Sequence, residues 1–120
     1  MLILAAILCV GVGLAHTILG ERYILVRLFR RTDLPHLFGD DVFTRRTLRF
    51  AWHLTTVAWW GYAALLVGLA VPDAEPRTLI RWTVAGVFAT HALLTLIASR
   101  GRHLAWPVFA AIALLALFTK

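Results

Sequence analysis

Three histidines lie inside apolar stretches of this sequence and are the side chains there best suited to chemistry. His16, His53 and His91 each occur in a stretch that contains no Asp, Glu, Lys or Arg. A polar side chain in hydrocarbon is costly, so such positions are usually functional or hydrogen-bonded within the protein. A neutral imidazole there can hydrogen-bond a neighbour, ligate a metal or a haem iron, or relay protons.

Paired ligation of haem b is the first hypothesis for these histidines. His16 lies five residues before Glu21, and His53 lies four residues after Arg49. With a rise of about 1.5 Å per residue, both are predicted roughly 6–8 Å inside the first charged residues, at matching depth. The arginines predicted to pair with the haem propionates are Arg22, Arg46 and Arg49. Such a protein would serve redox chemistry or electron transfer.

A transition metal other than haem iron is the alternative cofactor. It needs three or four ligands, and the candidate ligands are His16, His53, His91 and Glu21. His91 is predicted about 13 Å deep, roughly 6 Å deeper than the other two histidines, which counts against a shared site. Purely structural hydrogen bonding by the same histidines is the competing interpretation.

Membrane helices must position these residues. Charge-free stretches of 19, 23, 18 and 17 residues cover 2–20, 50–72, 82–99 and 103–119. About 20 apolar residues are needed to cross roughly 30 Å of hydrocarbon. The chain is 61% hydrophobic and 15% charged, whereas soluble domains are about half apolar and about a quarter charged. The sequence therefore predicts an all-α integral membrane protein, an up-down bundle of four transmembrane helices in the single domain 1–120.

The predicted boundaries follow from prolines, glycines and charges. The spans are expected at about 2–20, 50–71, 79–99 and 103–119, with a cytoplasmic interfacial segment at 21–49. A break is expected before Pro35, because proline disfavours the helical conformation in the residue that precedes it. Asp40 or Asp41 is the expected N-cap of the second helix. Gly101 is the expected C-cap of the third.

The basic residues are distributed asymmetrically. Nine arginines fall in the 1–2 and 3–4 connections, against Arg77, Arg81 and Lys120 on the opposite side. By the positive-inside rule, both connections are cytoplasmic and both termini lie outside, in a bacterial cytoplasmic membrane by default. Anionic lipid headgroups account for the net charge of +6 without any nucleic acid.

A stripe of small residues on the first helix suggests a different function. Its members share one helical face and are Ala6, Cys9, Gly13, His16 and Gly20. Small residues allow membrane helices to approach closely. The second functional hypothesis is therefore a non-catalytic accessory subunit, which packs against a larger membrane partner or self-associates as a homo-oligomer. Whether the chain is an enzyme is left open.

The general plan of four short spans with buried histidines, His16 and His53 foremost, resembles small membrane cytochrome b proteins and haem-pathway membrane oxidases. The resemblance lies in this plan and not in a specific motif.

Overall fold

The computed structural model describes residues 1–118, whose regular structure consists of four helices. Helix α1 spans Leu2–Leu28, α2 spans Val42–Leu69, α3 spans Pro76–Ser99 and α4 spans Ala105–Phe118. Within α1, Gly20–Leu25 forms a π-helical segment. Thr119 and Lys120 lie outside the described residues, and with them the predicted end of the fourth span and one of the three opposing basic residues.

The end of α1 is tied to the start of α2 by one arginine. The Arg45 guanidinium donates to the carbonyl oxygens of Phe29 and Arg31, and it also pairs with the Asp41 carboxylate. The last carbonyls of a helix have no partner within the helix itself. The predicted interfacial segment 21–49 is therefore helical at both ends, and the contacts of Arg45 hold the connection between them.

The N-cap of α2 is Asp41, one of the two predicted aspartates. The Asp40 Oδ1 atom accepts a hydrogen bond from the Val42 backbone N–H at 3.0 Å. Asp41 occupies the cap position but makes no side-chain cap bond. The hydroxyl of Thr44 donates to the Pro35 carbonyl at 2.7 Å. The connection is thus held on both sides of the predicted break.

Helix α3 ends differently from the prediction. Arg100, and not Gly101, is the C-cap residue, with a left-handed φ of 53°. Gly101 follows with a φ of 77°, and its N–H donates to the Leu96 carbonyl at 2.9 Å. The left-handed region is unfavourable for a residue with a Cβ, so two successive left-handed residues form a sharp turn that fixes where Arg100 leaves the helix.

The four helices form a flat row. Each packs antiparallel against its neighbour in the chain, and within residues 1–118 helix α1 makes no substantial contact with α3 or α4. The Cα atoms extend over 54 × 32 × 14 Å. Packed helix axes lie about 8–10 Å apart. Four helices side by side therefore account for the 32 Å dimension, and a single layer of helices accounts for the 14 Å dimension. The up-down order of the predicted bundle is confirmed. The helices lie in a single row, however, and do not close into a bundle.

Close packing at glycines in the two interfaces of α2 explains why the helices form a row. On the α1 side, Gly13 and Gly20 of α1 receive side chains from α2. On the α3 side, Gly61 and Gly68 of α2 receive Val87 and Leu79. Close approach occurs where a Cβ is missing, so α1 and α3 are held on opposite flanks of α2.

Two helices, α1 and α3, are long and apolar enough to cross a membrane. Only 11% of the most apolar window of α1 and 22% of that of α3 is buried within the chain. A core helix of a soluble protein would be mostly buried. At about 1.5 Å per residue, the 14 residues of α4 rise about 21 Å, less than the roughly 30 Å of a hydrocarbon core. Residues 1–118 are all-helical with two candidate spans, fewer than the predicted four.

Candidate binding site

His16 is held in a reciprocal contact with Trp52 across the α1–α2 interface. Its Nε2 lies 3.2 Å from the Trp52 carbonyl oxygen, and since a carbonyl only accepts, this nitrogen is the donor. The Trp52 indole N–H donates in return to the His16 carbonyl at 3.1 Å. The two rings stack with centroids 4.3 Å apart and planes 1° from parallel. Axial ligation through Nε2 would require His16 to give up this contact.

The tryptophans of this interface fit into gaps left by glycines. A Cβ on Gly20 would collide with the Trp52 indole, and a Cβ on Gly13 would lie 2.5 Å from the Trp60 Nε1 atom. Gly11, on another face, has no atom within 4 Å of its missing Cβ. The predicted small-residue stripe of α1 therefore lies against α2 of the same chain.

A polar cluster lies at one end of this interface, the end that the positive-inside rule predicts to be cytoplasmic. The Arg49 guanidinium lies 2.7 Å from Glu21 Oε1, and His53 Nε2 lies 3.5 Å from Glu21 Oε2. The hydroxyl of Thr17 lies 3.5 Å from the other ring nitrogen of His53. Glu21 belongs to the π-helical segment, whose wider turn changes the direction of the side chains that follow. Three predicted site residues, Glu21, Arg49 and His53, are thus brought together.

His91 lies on the opposite flank of α2. Its Nε2 donates to the Leu54 carbonyl at 3.0 Å, and its ring packs against the rings of Phe88 and Phe109. In residues 1–118, no group of three or more His, Cys, Asp or Glu side chains is close enough to hold a metal ion. The four predicted metal ligands are divided between the two flanks of α2.

A cavity of about 570 Å³, which we name the arginine groove, opens between the start of α2 and the end of α3. Its charged and titratable lining residues are Arg45, Arg46, Arg49, His53 and Arg100. Apolar side chains of both helices complete the wall, among them Phe50, Leu94 and Ile97. The groove therefore combines several cations with an apolar surface in one space.

A smaller cavity of about 160 Å³, which we name the polar cavity, adjoins the groove and shares Arg46 and Arg100 with it. Its other polar lining residues are Asp40, Ser99 and Arg102. The Ser99 hydroxyl is already engaged, since it donates to the Thr95 carbonyl at 2.6 Å and accepts from the His103 N–H at 3.2 Å. The arginines and Asp40 are therefore the groups that face a ligand there.

The arginines of the two cavities differ in their pairing. Arg45 pairs with Asp41, whose pKa is lowered by the hydrogen bond from that guanidinium, and Arg49 pairs with Glu21. Among the arginines that line the two cavities, those that form no ion pair with an Asp or Glu of residues 1–118 are Arg46, Arg100 and Arg102. All three line the polar cavity, which therefore has an excess of positive charge.

The sequence indicated some of these residues and missed others. Arg46, Arg49 and His53 were predicted as cofactor-binding residues and line the groove. Arg22 was also predicted, but its guanidinium lies over the Tyr23 ring at 5.5 Å and lines neither cavity. Arg100 and Arg102 were not predicted, although the charge count had already placed them on the same side as Arg46.

Comparisons with models of protein families, with curated proteins and with solved structures find no match to this chain. The residues of the two cavities themselves therefore carry the functional inference.

Proposed function

We propose that this chain is an integral membrane protein that binds an acidic amphiphile, with an anionic head and an apolar body, in the arginine groove. The observation that carries this proposal is the groove's composition, with four arginines and an apolar wall around about 570 Å³. From Val42 to His53, α2 rises about 17 Å along the groove, enough for a head and the first part of an apolar tail.

The physical basis is the pairing of guanidinium with oxyanions next to hydrocarbon. Arginine holds a carboxylate or phosphate bidentately and is more weakly hydrated than lysine. Arg46 has no acidic partner within residues 1–118, so an anion adds a charge pair there without breaking one. Phe50, Leu94 and Ile97 supply the apolar contact.

Two sources share this ligand chemistry, an anionic lipid and haem. Haem is itself an acidic amphiphile, and two predicted propionate partners, Arg46 and Arg49, line the groove together with His53. In this form of the haem hypothesis His53 alone would be the axial ligand, because His16 donates its Nε2 proton to Trp52. The paired-ligand hypothesis, haem b or another metal, remains a prediction.

Ligand binding to the detergent-purified protein tests the proposal. We expect dodecyl phosphate to raise the melting temperature of the wild type and to lose this effect in the double variant Arg46→Gln/Arg49→Gln. The matched control is Arg30→Gln, because Arg30 is an exposed interfacial arginine outside both cavities. Equal stabilisation of all three proteins would overturn the proposal.

A second titration, with haemin, separates the two sources. If haem is the ligand, a Soret band appears that depends on His53 and on the two groove arginines, and dodecyl phosphate competes for the same site. If the band is absent or persists unchanged in His53→Ala and the double variant, haem does not bind in the groove and an anionic lipid is the ligand source.

We also propose that the groove faces the cytoplasm and that the helices lie in a bacterial cytoplasmic membrane. The support is the asymmetry of nine basic residues against three. A reporter fused after Lys120 is expected to be external, and a cytoplasmic signal would reverse the orientation.

The second candidate function is an accessory subunit that packs against a larger membrane partner or self-associates. It is favoured by the single-layer shape, 14 Å in its smallest Cα dimension, which encloses no helix on all sides. Since α2 already covers the small-residue stripe, such a partner would contact an outer face. Copurification of the chain as one monomer per lipid nanodisc, with no second protein, would count against this candidate.

A further inference from the structure

The residues that line the polar cavity beside the arginine groove indicate which chemical group ends the ligand head. We infer that the head ends in a phosphomonoester, a dianionic terminal phosphate, and not in a phosphodiester or a carboxylate. This inference rests on the proposed function, because it concerns the end of the same ligand.

The first support is the local charge. Three arginines and one aspartate line the polar cavity, Arg46, Arg100, Arg102 and Asp40, which gives a formal charge of three minus one, or +2. A phosphomonoester carries about −1.5 to −2 near neutral pH, whereas a phosphodiester or a carboxylate carries about −1. The terminal phosphate neutralises the lining most completely.

The second support is that these three arginines have no acidic partner within the described chain, whereas Arg45 and Arg49 have one each. A cation in a partly enclosed space is stabilised by an opposite charge that hydrogen-bonds it. The unpaired arginines are the ones that line the 160 Å³ polar cavity, so an anion in that space meets three guanidinium groups without displacing an acidic partner of the described residues.

The third support is that one of these arginines, Arg102, has its guanidinium placed against an aromatic ring. The Arg102 guanidinium lies over the Phe38 ring at 5.8 Å. Side chains already restricted in this way lose less conformational entropy when they bind an anion.

Asp40 does not oppose this assignment. One of its carboxylate oxygens accepts a hydrogen bond from the Val42 N–H, which engages part of its acceptor capacity. The three terminal oxygens of a phosphomonoester provide enough acceptors for the three arginines. The shared residues Arg46 and Arg100 place the two cavities side by side, so one ligand can reach both.

The test compares two probes with the same tail, dodecyl phosphate and its methyl ester, methyl dodecyl phosphate. By titration calorimetry in non-ionic detergent, we expect the wild type to bind the monoester about tenfold more tightly, as one added charge-assisted hydrogen bond would give. Arg102→Gln is expected to abolish this preference, because it weakens binding of the monoester more than binding of the methyl ester.

Two further variants keep the outcomes distinct. Phe38→Leu removes the ring beneath Arg102 but keeps the cation. This variant is therefore expected to retain part of the preference for the monoester and to show a larger preference than Arg102→Gln. Arg46→Gln is expected to weaken both probes, because Arg46 lines both cavities. Equal affinity of the wild type for the two probes, with both lost in Arg46→Gln/Arg49→Gln, would overturn this inference and leave the proposed function standing. Binding of neither probe would overturn both.

Discussion

The two flanks of α2 are packed in opposite ways in the N-terminal half of this helix. On the α1 side, the Trp52 ring fills the gap over Gly20 and stacks on His16. On the α3 side, the helices meet closely at Gly61 and Gly68 but separate toward Arg100, which leaves the arginine groove. In this half, the same helix therefore has one flank closed by aromatic packing and one flank open to a ligand.

This difference shows why a buried histidine is a weak sign of a cofactor in such a protein. His16 and His91 both donate to backbone carbonyls of α2, which satisfies a costly polar group in an apolar setting. His53 instead lies between Glu21 and the groove. The open flank, and not the number of histidines, determines where a ligand has room.

The largest effect is expected from closing the gap that Trp52 occupies. Gly20→Ala should destabilise the fold by about 1–3 kcal/mol, the usual cost of overpacking, because Trp52 is fixed by stacking and by its hydrogen bond to His16. Gly13→Ala should cost less, since Trp60 is 41% exposed and can move. Chemical denaturation in detergent measures both.

The control for these glycines is Gly11→Ala. No atom lies within 4 Å of the added methyl group, so the stability should be unchanged or slightly raised. Three equal melting temperatures would show that the α1 flank is not closely packed.

Filling the open flank should abolish binding without harming the fold. Leu94→Trp places a large ring in the arginine groove and is expected to weaken dodecyl phosphate binding at least about tenfold, or about 1.4 kcal/mol. Leu93→Trp, at an exposed neighbouring position, should bind normally. If both tryptophan variants bind like the wild type, the groove is not the site.

Removal of the His16 side chain should affect stability and spare binding. His16→Ala loses the hydrogen bond to the Trp52 carbonyl and the ring stack, at a cost of about 1 kcal/mol. Its affinity for dodecyl phosphate should equal that of the wild type. Loss of a bound chromophore in this variant would instead support the paired-ligand hypothesis.

The smallest effect is expected at the start of α3, far from the arginine groove. Glu75 caps α3 by accepting from the Arg77 and Thr78 backbone N–H groups. The hydrogen bond with the Thr78 side chain, followed by these backbone bonds, lowers its carboxyl pKa. Glu75→Ala should therefore lower the melting temperature slightly at pH 7. A lowered pKa contributes stability that is present above the unfolded-state value and is lost as pH falls through the folded-state value. The difference between wild type and variant should thus shrink in acid, and a difference that grew in acid would contradict the cap.

The sequence by itself determined the helices and their order. The predicted spans 2–20, 50–71 and 79–99 overlap α1, α2 and α3, and the start of α2 was predicted at Asp40 or Asp41, because caps act on the local backbone. The small-residue stripe with Gly13 and Gly20 correctly indicated the close-packed face of α1. Matching depth for His16 and His53 followed from antiparallel order alone.

Only the tertiary structure decided which flank each residue faces and how widely the helices separate. Helical periodicity could not show that α1 and α3 lie on opposite sides of α2, which separates His91 from His16. Nor could it bring Arg100 and Arg102 beside Arg46, since these residues lie more than fifty positions apart. Contacts between distant segments depend on packing at every intervening interface, and a gap over one glycine or a left-handed turn at Arg100 is enough to change them.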